Sequence, residues 1–575
     1  MKYPTLSALN TSREVVDVFG GYNHNLRIGR GEMYDMTNLS SDNYPILSPR
    51  QKRGIYATPS KPLGLISKDK LCYVDGADIV IGDERIDLEL SNEYKSMISM
   101  GAYIIIMPDK KYINTKDTSD HGNIEASVKT TTVVNYEITK ADGAKYDKVT
   151  IQVTAPASPS SMDIWIDTSV SPHQMKQYST SAKEWVAIAS TYVKISAEGI
   201  GVPFKADDVV TLSGVKEEVG LNGSHQISAR EDDYIVVTGI IGAVNSQSDA
   251  ITVERRMPNL DFIVESNNRL WGCRYGEDVN GNMVNEIYAS KLGDFKNWNV
   301  FQGISTDSYV ASVGTDGAFT GAITHLGYPL FFKENCLHKV YGNYPSNYQI
   351  QTTACRGVQE GCSKSLAIVN EILFYKARSG VCAYDGSLPQ EISLVLGEGE
   401  YGNAVGGVLG NKYYISMCDE SEEYRLFVYD TARGLWHKED NTQVKAFSNY
   451  RGELYYIDYA NNQIKTVKGT GTVEPNDIRW EAITGTWCTD SPDSKYISRM
   501  VIRMSLTANS RVIVSCEYDS SGEWEHLFTM AGINLNSFSI PVKPKRCDHL
   551  RLRIEGIGEA KIYSICSTIE RGSDR

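Results

Sequence analysis

A unit of two short apolar strands joined by a tight turn recurs along the second half of this chain. The copies follow one another at intervals of about 35–50 residues, a period typical of repeat architectures. They lie at residues 262–272, 325–335, 372–386, 410–436 and 451–463. A blade of a β-propeller is a four-stranded meander of this kind, whose faces pack on those of its neighbours. The repeat therefore predicts a β-propeller.

Strand signals also fill the region before these copies. Residues 61–117 contain short apolar runs separated by turns at intervals of roughly 8–12 residues, the spacing of strands in all-β proteins. No stretch beyond about 12 residues sustains the apolar spacing of a helix. The chain contains 35 Tyr and 48 Gly, residue types that favour strands and tight turns. We therefore predict an all-β fold: a β-propeller platform with an inserted β domain and a C-terminal β-rich region.

Changes in composition divide the 575 residues into five regions. Residues 1–60 are predicted to be an irregular segment that docks on the propeller, because their prolines favour extended backbone. Residues 61–117 are predicted to supply the first propeller strands and residues 257–478 the remaining blades. The Thr-, Ser- and Val-rich residues 118–256 between them are predicted to form an inserted β-sandwich or barrel. Residues 479–575 are predicted to be a last blade or a small sandwich.

Charge and cysteine content exclude several classes of protein. The chain has 58 Lys and Arg against 71 Asp and Glu, a net charge of −13, which is the wrong sign for a protein that binds nucleic-acid phosphates. Its eleven Cys are scattered without a CxxC pair, which predicts reduced, buried thiols and no zinc site. The N-terminus lacks the apolar core of a signal peptide, and no apolar run reaches the ~20 residues of a membrane helix. These features predict synthesis in a cytoplasm and no membrane anchor.

Motifs that would carry chemistry are scarce. A GxGxxG motif occurs at residues 397–402, but its Glu398 and Glu400 would repel a pyrophosphate, so we interpret it as a turn. The adjacent carboxylates at 207–208 and 232–233 would point to opposite faces of a strand, and we interpret them as solvated turn residues. We therefore predict no catalytic, cofactor-binding, metal-binding or nucleic-acid-binding residues, and no enzymatic activity. Three short basic clusters are interpreted as solvated faces or partner contacts: 50–53, 255–256 and 543–546.

A carbohydrate-binding or glycoside-cleaving propeller is the alternative from a different functional class. Cleavage of a glycosidic bond would need two carboxylates near the propeller axis. Asp385 and Asp430, which this alternative places at the ends of inner strands, are the residues to examine. Their Tyr-Asp-Gly and Tyr-Asp-Thr settings are more typical of turns.

Two stretches of the sequence resemble one known family. The first combines Phe19-Gly20-Gly21, Asn38-Leu-Ser-Ser41 and Leu47-Ser-Pro-Arg50. The second combines Arg269-Leu-Trp-Gly272, Asn285-Glu-Ile-Tyr-Ala-Ser290 and Leu292-Gly-Asp-Phe-Lys-Asn-Trp298. Both resemble the tail nozzle proteins of short-tailed bacteriophages, the tail tubular protein B class. In that family a glycine-containing start precedes the first blade, and a Tyr-x-Ser strand end is followed by Gly-Asp-Phe and Asn-Trp.

The resemblance implies a structural protein of the virion tail, synthesised in the host cytoplasm. Six copies would form a homohexameric ring below the adaptor at the portal and would conduct DNA during ejection. The implied partners are further copies of the chain, the adaptor and portal-proximal proteins, and other tail proteins such as fibres. DNA would pass without specific binding, which the acidic balance suits, and no cofactor is implied. Another neck or tail component remains an alternative.

Overall fold

The computed structural model describes residues 11–171, 173–188, 191–488, 494–532, 534–542 and 545–571. Within these residues the regular structure consists of β-strands and four single-turn 3-10 helices, so the all-β prediction is confirmed. The 3-10 helices are Val219–Leu221, Pro345–Asn347, Ser363–Ser365 and Leu394–Leu396. No helix in the described part of the chain is long and apolar enough to cross a membrane.

Seven blades form a closed ring in the described residues, and each is an antiparallel meander. Blade 1 comprises Pro62–Lys68, Lys70–Asp75, Asp78–Ile81 and Glu84–Asp87; blade 2 comprises Ser96–Met100, Tyr103–Met107, Lys111–Asn114 and His121–Asn123. Blade 3 comprises Phe262–Ser266, Arg269–Glu277, Met283–Ala289 and Tyr309–Ser312; blade 4 comprises Gly321–His325, Tyr328–Lys333, Cys336–Tyr341 and Gln349–Ala354. Blade 5 comprises Ala367–Val369, Ile372–Ala377, Gly380–Tyr384 and Gln390–Glu391; blade 6 comprises Tyr401–Leu409, Lys412–Asp419, Tyr424–Asp430 and Leu435–Lys438.

Blade 7 closes the ring with strands from two distant parts of the chain. Its first three strands are Val444–Tyr450, Glu453–Asp458 and Ile464–Thr466, and Gly54–Ala57 pairs antiparallel with the third. Thr472–Val473 then pairs with Gly54–Ala57 at the outer edge. The first strand of blade 7 packs beside the first strand of blade 1. The N-terminal region therefore supplies the strand that completes the last blade of the ring.

The core of the propeller lies between blades. The second strand of each blade is covered on both faces by neighbouring blades, so it reads as a near-continuous apolar run. Tyr328–Lys333, Ile372–Ala377 and Glu453–Asp458 are almost entirely buried for this reason. No disulfide joins the cysteines in the described part of the chain, and nine of the eleven are buried, as the sequence predicted.

The inserted domain runs from Ala126 to Arg255, between the last strand of blade 2 and the first strand of blade 3. One eight-stranded sheet comprises Ala126–Lys129, Val134–Thr139, Tyr192–Ser196, Val209–Ser213, Gly223–Glu231, Tyr234–Thr238, Asn245–Gln247 and Thr252–Arg255. A four-stranded sheet comprises Val149–Gln152, Ile164–Asp167, Gln174–Ser179 and Glu184–Ala187. The two sheets share one apolar core, which is separate from the cores of the propeller.

A sandwich of two sheets follows the propeller. One sheet comprises Thr11–Val16, Ala560–Arg571, Lys495–Leu506 and Asn536–Ile540. The other comprises Gly21–Tyr22, Glu32–Thr37, Arg479–Thr484, Leu550–Ile557, Arg511–Tyr518 and Glu525–Ala531. Leu39–Ser40 and Ser48–Pro49 form a small ribbon between the sandwich and blade 6.

The N-terminal region departs from the prediction of an irregular segment at 1–60. Three of its strands belong to the C-terminal sandwich and one belongs to blade 7. Such short strands carry little periodicity. The register of Thr11–Val16, Glu32–Thr37 and Gly54–Ala57 also depends on partners roughly 400 or more residues away. We call residues 19–53, which connect the sandwich to blade 7, the strap.

Candidate functional site

The antiparallel meander gives the propeller two different faces. Each first strand begins at one face, which we call the entry face, and runs along the central channel to the other, the exit face. The loops that lead into the first strands lie on the entry face, together with the hairpins that join second to third strands. Third strands end on the exit face.

Carboxylates are rare along the channel. Among the seven first strands, only Glu265 of blade 3 supplies one. Its Oε1 accepts a hydrogen bond from the backbone N–H of Asn268, 2.9 Å away, within its own hairpin. These strands therefore do not present a pair of carboxylates across the axis, as glycoside cleavage in the channel would need.

Asp385 and Asp430 lie at the ends of third strands, not of inner strands as the alternative assumed. Asp385 is exposed, and its Oδ1 accepts hydrogen bonds from the backbone N–H and the hydroxyl of Ser387. Asp430 is buried, accepts a 2.6 Å hydrogen bond from the Ser41 hydroxyl and pairs with Arg433 at 2.9 Å. Asp385 therefore shapes a turn, and Asp430 holds the strap on blade 6.

A cleft of about 470 Å³ opens on the entry face beside blade 6. We call it the rim cleft. One wall is the loop into the first strand of blade 6, with Glu398, Glu400 and Tyr401, and a second wall is the hairpin at residues 419–425. The third wall comes from the N-terminal region and from Lys438 at the end of blade 6.

Five carboxylates line the rim cleft. Glu398, Glu400 and Glu420 are exposed, whereas Asp35 and Asp419 are half-buried. Asp35 pairs with Lys438, and Asp419 pairs with Arg425 at 3.3 Å. The two cations of the cleft are engaged in these pairs, and among the described residues the three exposed carboxylates make no ion pair, so they face the cleft as hydrogen-bond acceptors.

Aromatic rings form the floor of the same cleft. Tyr22 and His24 stack with ring centres 5.8 Å apart, and His24 also stacks on Tyr34 at 4.4 Å. Tyr401 packs edge-on against Phe427 of the blade core. Burial raises the pKa of both Tyr22 and Tyr401, so their hydroxyl groups stay protonated and can donate hydrogen bonds at neutral pH.

The GxGxxG motif forms part of this cleft. As predicted, it is a turn: Gly397 has φ of +89° and ends the 3-10 helix Leu394–Leu396. The sequence did not reveal that Glu398 and Glu400 line a cleft. The aromatic floor comes from residues about 375 positions earlier, and no local pattern signals that pairing.

The first motif of the family resemblance builds the strap. Asn38 donates a 2.8 Å hydrogen bond from Nδ2 to the carbonyl of Arg479, and its Oδ1 accepts one from Arg50 at 2.7 Å. Gly21 has φ of +81°, and a Cβ there would lie 2.5 Å from the carbonyl oxygen of Trp436. Phe19 is buried in the core shared with the sandwich. These residues therefore connect the strap to the sandwich and to blade 6.

The second motif fixes the loop that joins the third and fourth strands of blade 3. The buried guanidinium of Arg269 donates to the carbonyls of Ser290 and Ser305, at 2.7 and 2.8 Å. Asn297 accepts a 2.8 Å hydrogen bond from the backbone N–H of Val209 in the insert, and Trp298 is buried. The motif thus has a structural role, which includes holding the insert against the propeller.

Three residues of the predicted solvated sites are buried instead: Asp208, Arg255 and Arg53. Asp208 is 5% exposed and pairs with the buried Arg255, so its assignment as a solvated turn residue is wrong. Arg53, from the basic cluster at 50–53, is 3% exposed and pairs with Glu439 and Asp440, each at 2.8 Å. In the basic cluster at 543–546, residues 543 and 544 lie outside the described residues.

No protein-family model matches the chain, and no curated protein matches it. Among solved structures, it is similar to an exo-β-1,3-galactanase from Phanerochaete chrysosporium, with 9% identity and a TM-score of 0.21 over 53% of this chain and 94% of the other. It is also similar to the endosialidase of phage phi92, with 10% identity and a TM-score of 0.20 over 73% and 63%. A glycoside hydrolase with endo-xylanase and exo-arabinofuranosidase activity gives 9% identity and a TM-score of 0.20 over 54% and 97%.

One prediction changes with these findings. The prediction that the chain is not an enzyme is wrong, because the solved structures to which it is similar include several glycoside hydrolases.

Proposed function

We propose that this chain is a carbohydrate-active β-propeller protein of a bacteriophage tail, which binds saccharide in the rim cleft and cleaves it there. The observation that carries the proposal is the convergence of exposed carboxylates and aromatic rings in one cleft on the entry face. Carboxylate oxygens accept hydrogen bonds from sugar hydroxyls, and aromatic faces pack on the apolar faces of sugar rings. The family resemblance supports the assignment to a phage tail.

The arrangement of the walls supports cleavage. Acid–base hydrolysis of a glycoside needs one carboxyl group on each side of the scissile bond. Glu400 belongs to the loop into blade 6 and Glu420 to the hairpin whose Asp419 pairs with Tyr401, so two neighbouring segments each bring one carboxylate to the cleft. In this proposal one of them protonates the leaving oxygen while the other activates water or attacks the sugar.

The proposal is tested with the purified chain on a panel of bacterial surface polysaccharides and aryl glycosides. Binding is followed by calorimetry and cleavage by the release of reducing ends. Glu400→Gln and Glu420→Gln keep the shape of the cleft and should each reduce turnover by about a hundredfold or more while binding persists. Asp385→Asn, which alters an exposed carboxylate on the exit face, is the matched control. Absence of binding across the panel, or equal turnover in all variants, would overturn the proposal.

The second candidate is the tail nozzle, with six copies in a ring that conducts DNA. The hydrogen bonds through which the two motifs connect the sandwich, propeller and insert favour it, since a nozzle would bear load during ejection. The test is quantitative mass spectrometry of purified, DNA-filled particles. About half the copy number of a twelve-fold portal supports a six-fold ring. A different ratio, or absence from particles, would reject it.

A further inference from the structure

One pair of side chains spans the central channel at the entry face. Tyr94 lies in the loop into the first strand of blade 2, and Lys364 lies in the 3-10 helix before the first strand of blade 5. Blades 3 and 4 separate them on one side of the ring, and blades 6, 7 and 1 on the other. Lys364 Nζ nevertheless lies 3.1 Å from the centre of the Tyr94 ring. The two side chains therefore bridge the mouth of the channel.

Lys364 is a cation without an anionic partner. In the described part of the chain, its ammonium group contacts the Tyr94 ring and makes no ion pair with a carboxylate. Other lysines in the propeller core differ in this respect. Lys95, for example, is buried in the propeller and pairs with Asp109 at 2.5 Å. Where water is partly excluded, the face of an aromatic ring stabilises an ammonium group less than a negatively charged partner does.

The pair lies at the open mouth of the channel, where Lys364 is solvent-exposed. Partial desolvation of its ammonium group lowers the pKa of Lys364 to about 8, so most molecules carry the charge at neutral pH. Burial also raises the pKa of Tyr94 to about 12, so its ring stays neutral and cannot act as the counter-ion. Tyr94 is 38% exposed, which leaves the pair open to a solute that enters from the entry face.

We propose that Lys364 is a binding site for an anionic group, a carboxylate or a phosphate, at the mouth of the channel. The anion takes the place of the Tyr94 ring as the partner of the ammonium group. When no anion is bound, the Tyr94 ring covers the ammonium group. This site uses none of the residues of the rim cleft, so it does not depend on the proposed carbohydrate activity.

The test measures how fast an amine-acylating reagent modifies individual lysines of the full-length chain, read by peptide mass spectrometry. Sodium phosphate and sodium glucuronate are the two anion probes, and sodium chloride at equal ionic strength controls for screening. Lys339 is the matched lysine, since its Nζ lies 4.5 Å and 4.8 Å from the rings of Tyr328 and Tyr341, away from the channel mouth.

We expect a several-fold slower modification of Lys364 with a probe, with Lys339 unchanged. Protection by phosphate alone identifies a phosphate group as the ligand, and protection by glucuronate alone identifies the carboxylate of an acidic sugar. Equal slowing of both lysines, or the same effect from sodium chloride, would show screening only and overturn the proposal.

A second measurement uses variants of the same side chain. The protecting probe should raise the Tm of the unaltered protein and of Lys364→Arg, which keeps the cation, but not that of Lys364→Met. An unchanged Tm shift in Lys364→Met would contradict the proposal even if the acylation result agreed with it.

Discussion

Single residues in the strap show how the sequence encodes long-range contacts. Gly21 and Gly76 both have positive φ, +81° and +67°, but only Gly21 lies against another part of the chain. A side chain at Gly21 would meet the Trp436 carbonyl, whereas a side chain at Gly76 would meet open space. A substitution at Gly76 therefore measures the cost of backbone strain alone, and one at Gly21 measures the cost of strain together with a steric collision.

We expect Gly21→Ala to lower the free energy of unfolding by more than about 2 kcal/mol, because strain and collision act together. Gly76→Ala should cost about 1 kcal/mol, since the positive φ alone is unfavourable. Urea unfolding followed by tryptophan fluorescence measures both. Equal costs for the two variants would contradict the contact between Gly21 and blade 6.

His437 makes stability depend on pH. It is buried in blade 6 near Lys412, and burial lowers its pKa to about 4. Its folded-state pKa is thus below the ordinary value of about 6.5, so the unfolded chain binds more protons between these values. The stability that this group contributes is fully present above about pH 6.5 and falls as the pH drops towards 4.

The expected loss from His437 between pH 7.5 and pH 4.5 is about 2–3 kcal/mol of unfolding free energy. His437→Gln does not titrate and should remove that part of the loss. Urea titrations at the two pH values check this. A loss as large in the variant as in the unaltered protein would show that other groups dominate the acid response.

At the scale of elements, the strap is the least predictable part of the fold and the most connected. Arg53 pairs with Glu439 and Asp440 in a buried network that also includes Arg50. Burial opposes ionisation of Asp440, but the guanidinium groups of Arg53 and Arg50 outweigh it and lower its pKa. The network joins the strap to the linker between blades 6 and 7.

Arg53→Met leaves the buried carboxylate of Glu439 without its nearest cation, so we expect a loss of about 3–5 kcal/mol in unfolding free energy. Lys52→Met is the matched control, because the pair of Lys52 with Asp477 is partly exposed and should contribute less than about 1 kcal/mol. Chemical unfolding of both variants measures the difference. A small effect of Arg53→Met would mean that the strap does not stabilise the propeller.

At the scale of the whole molecule, the repeat was sufficient to predict the propeller but not its closure. The copies at 262–272 and 325–335 are hairpins of blades 3 and 4, since local apolar patterns and turn residues determine hairpins. The pairing of Gly54–Ala57 with blade 7 and the contact of Tyr94 with Lys364 join residues far apart in sequence. The rim cleft is of the same kind, because its walls join residues 22–35 to residues 396–438.

The insert allows a test of modularity at this scale. It has its own core, and its connection to blade 3 depends on Asp208, Arg255 and Asn297. Replacement of residues 126–255 by a short Gly/Ser join should leave the seven blades folded, with a single cooperative unfolding transition. Loss of soluble expression, or of cooperativity, would show that the propeller needs the insert.

If the rim cleft is the functional site, a bound saccharide should protect its backbone amides. Hydrogen–deuterium exchange with and without the tightest-binding saccharide of the panel measures this protection. We expect slower exchange at residues 20–35, 397–402 and 419–425, with the exit face around Asp385 unchanged. Protection confined to the insert, the sandwich or the exit face, with none at these three segments, would contradict the assignment of the functional site.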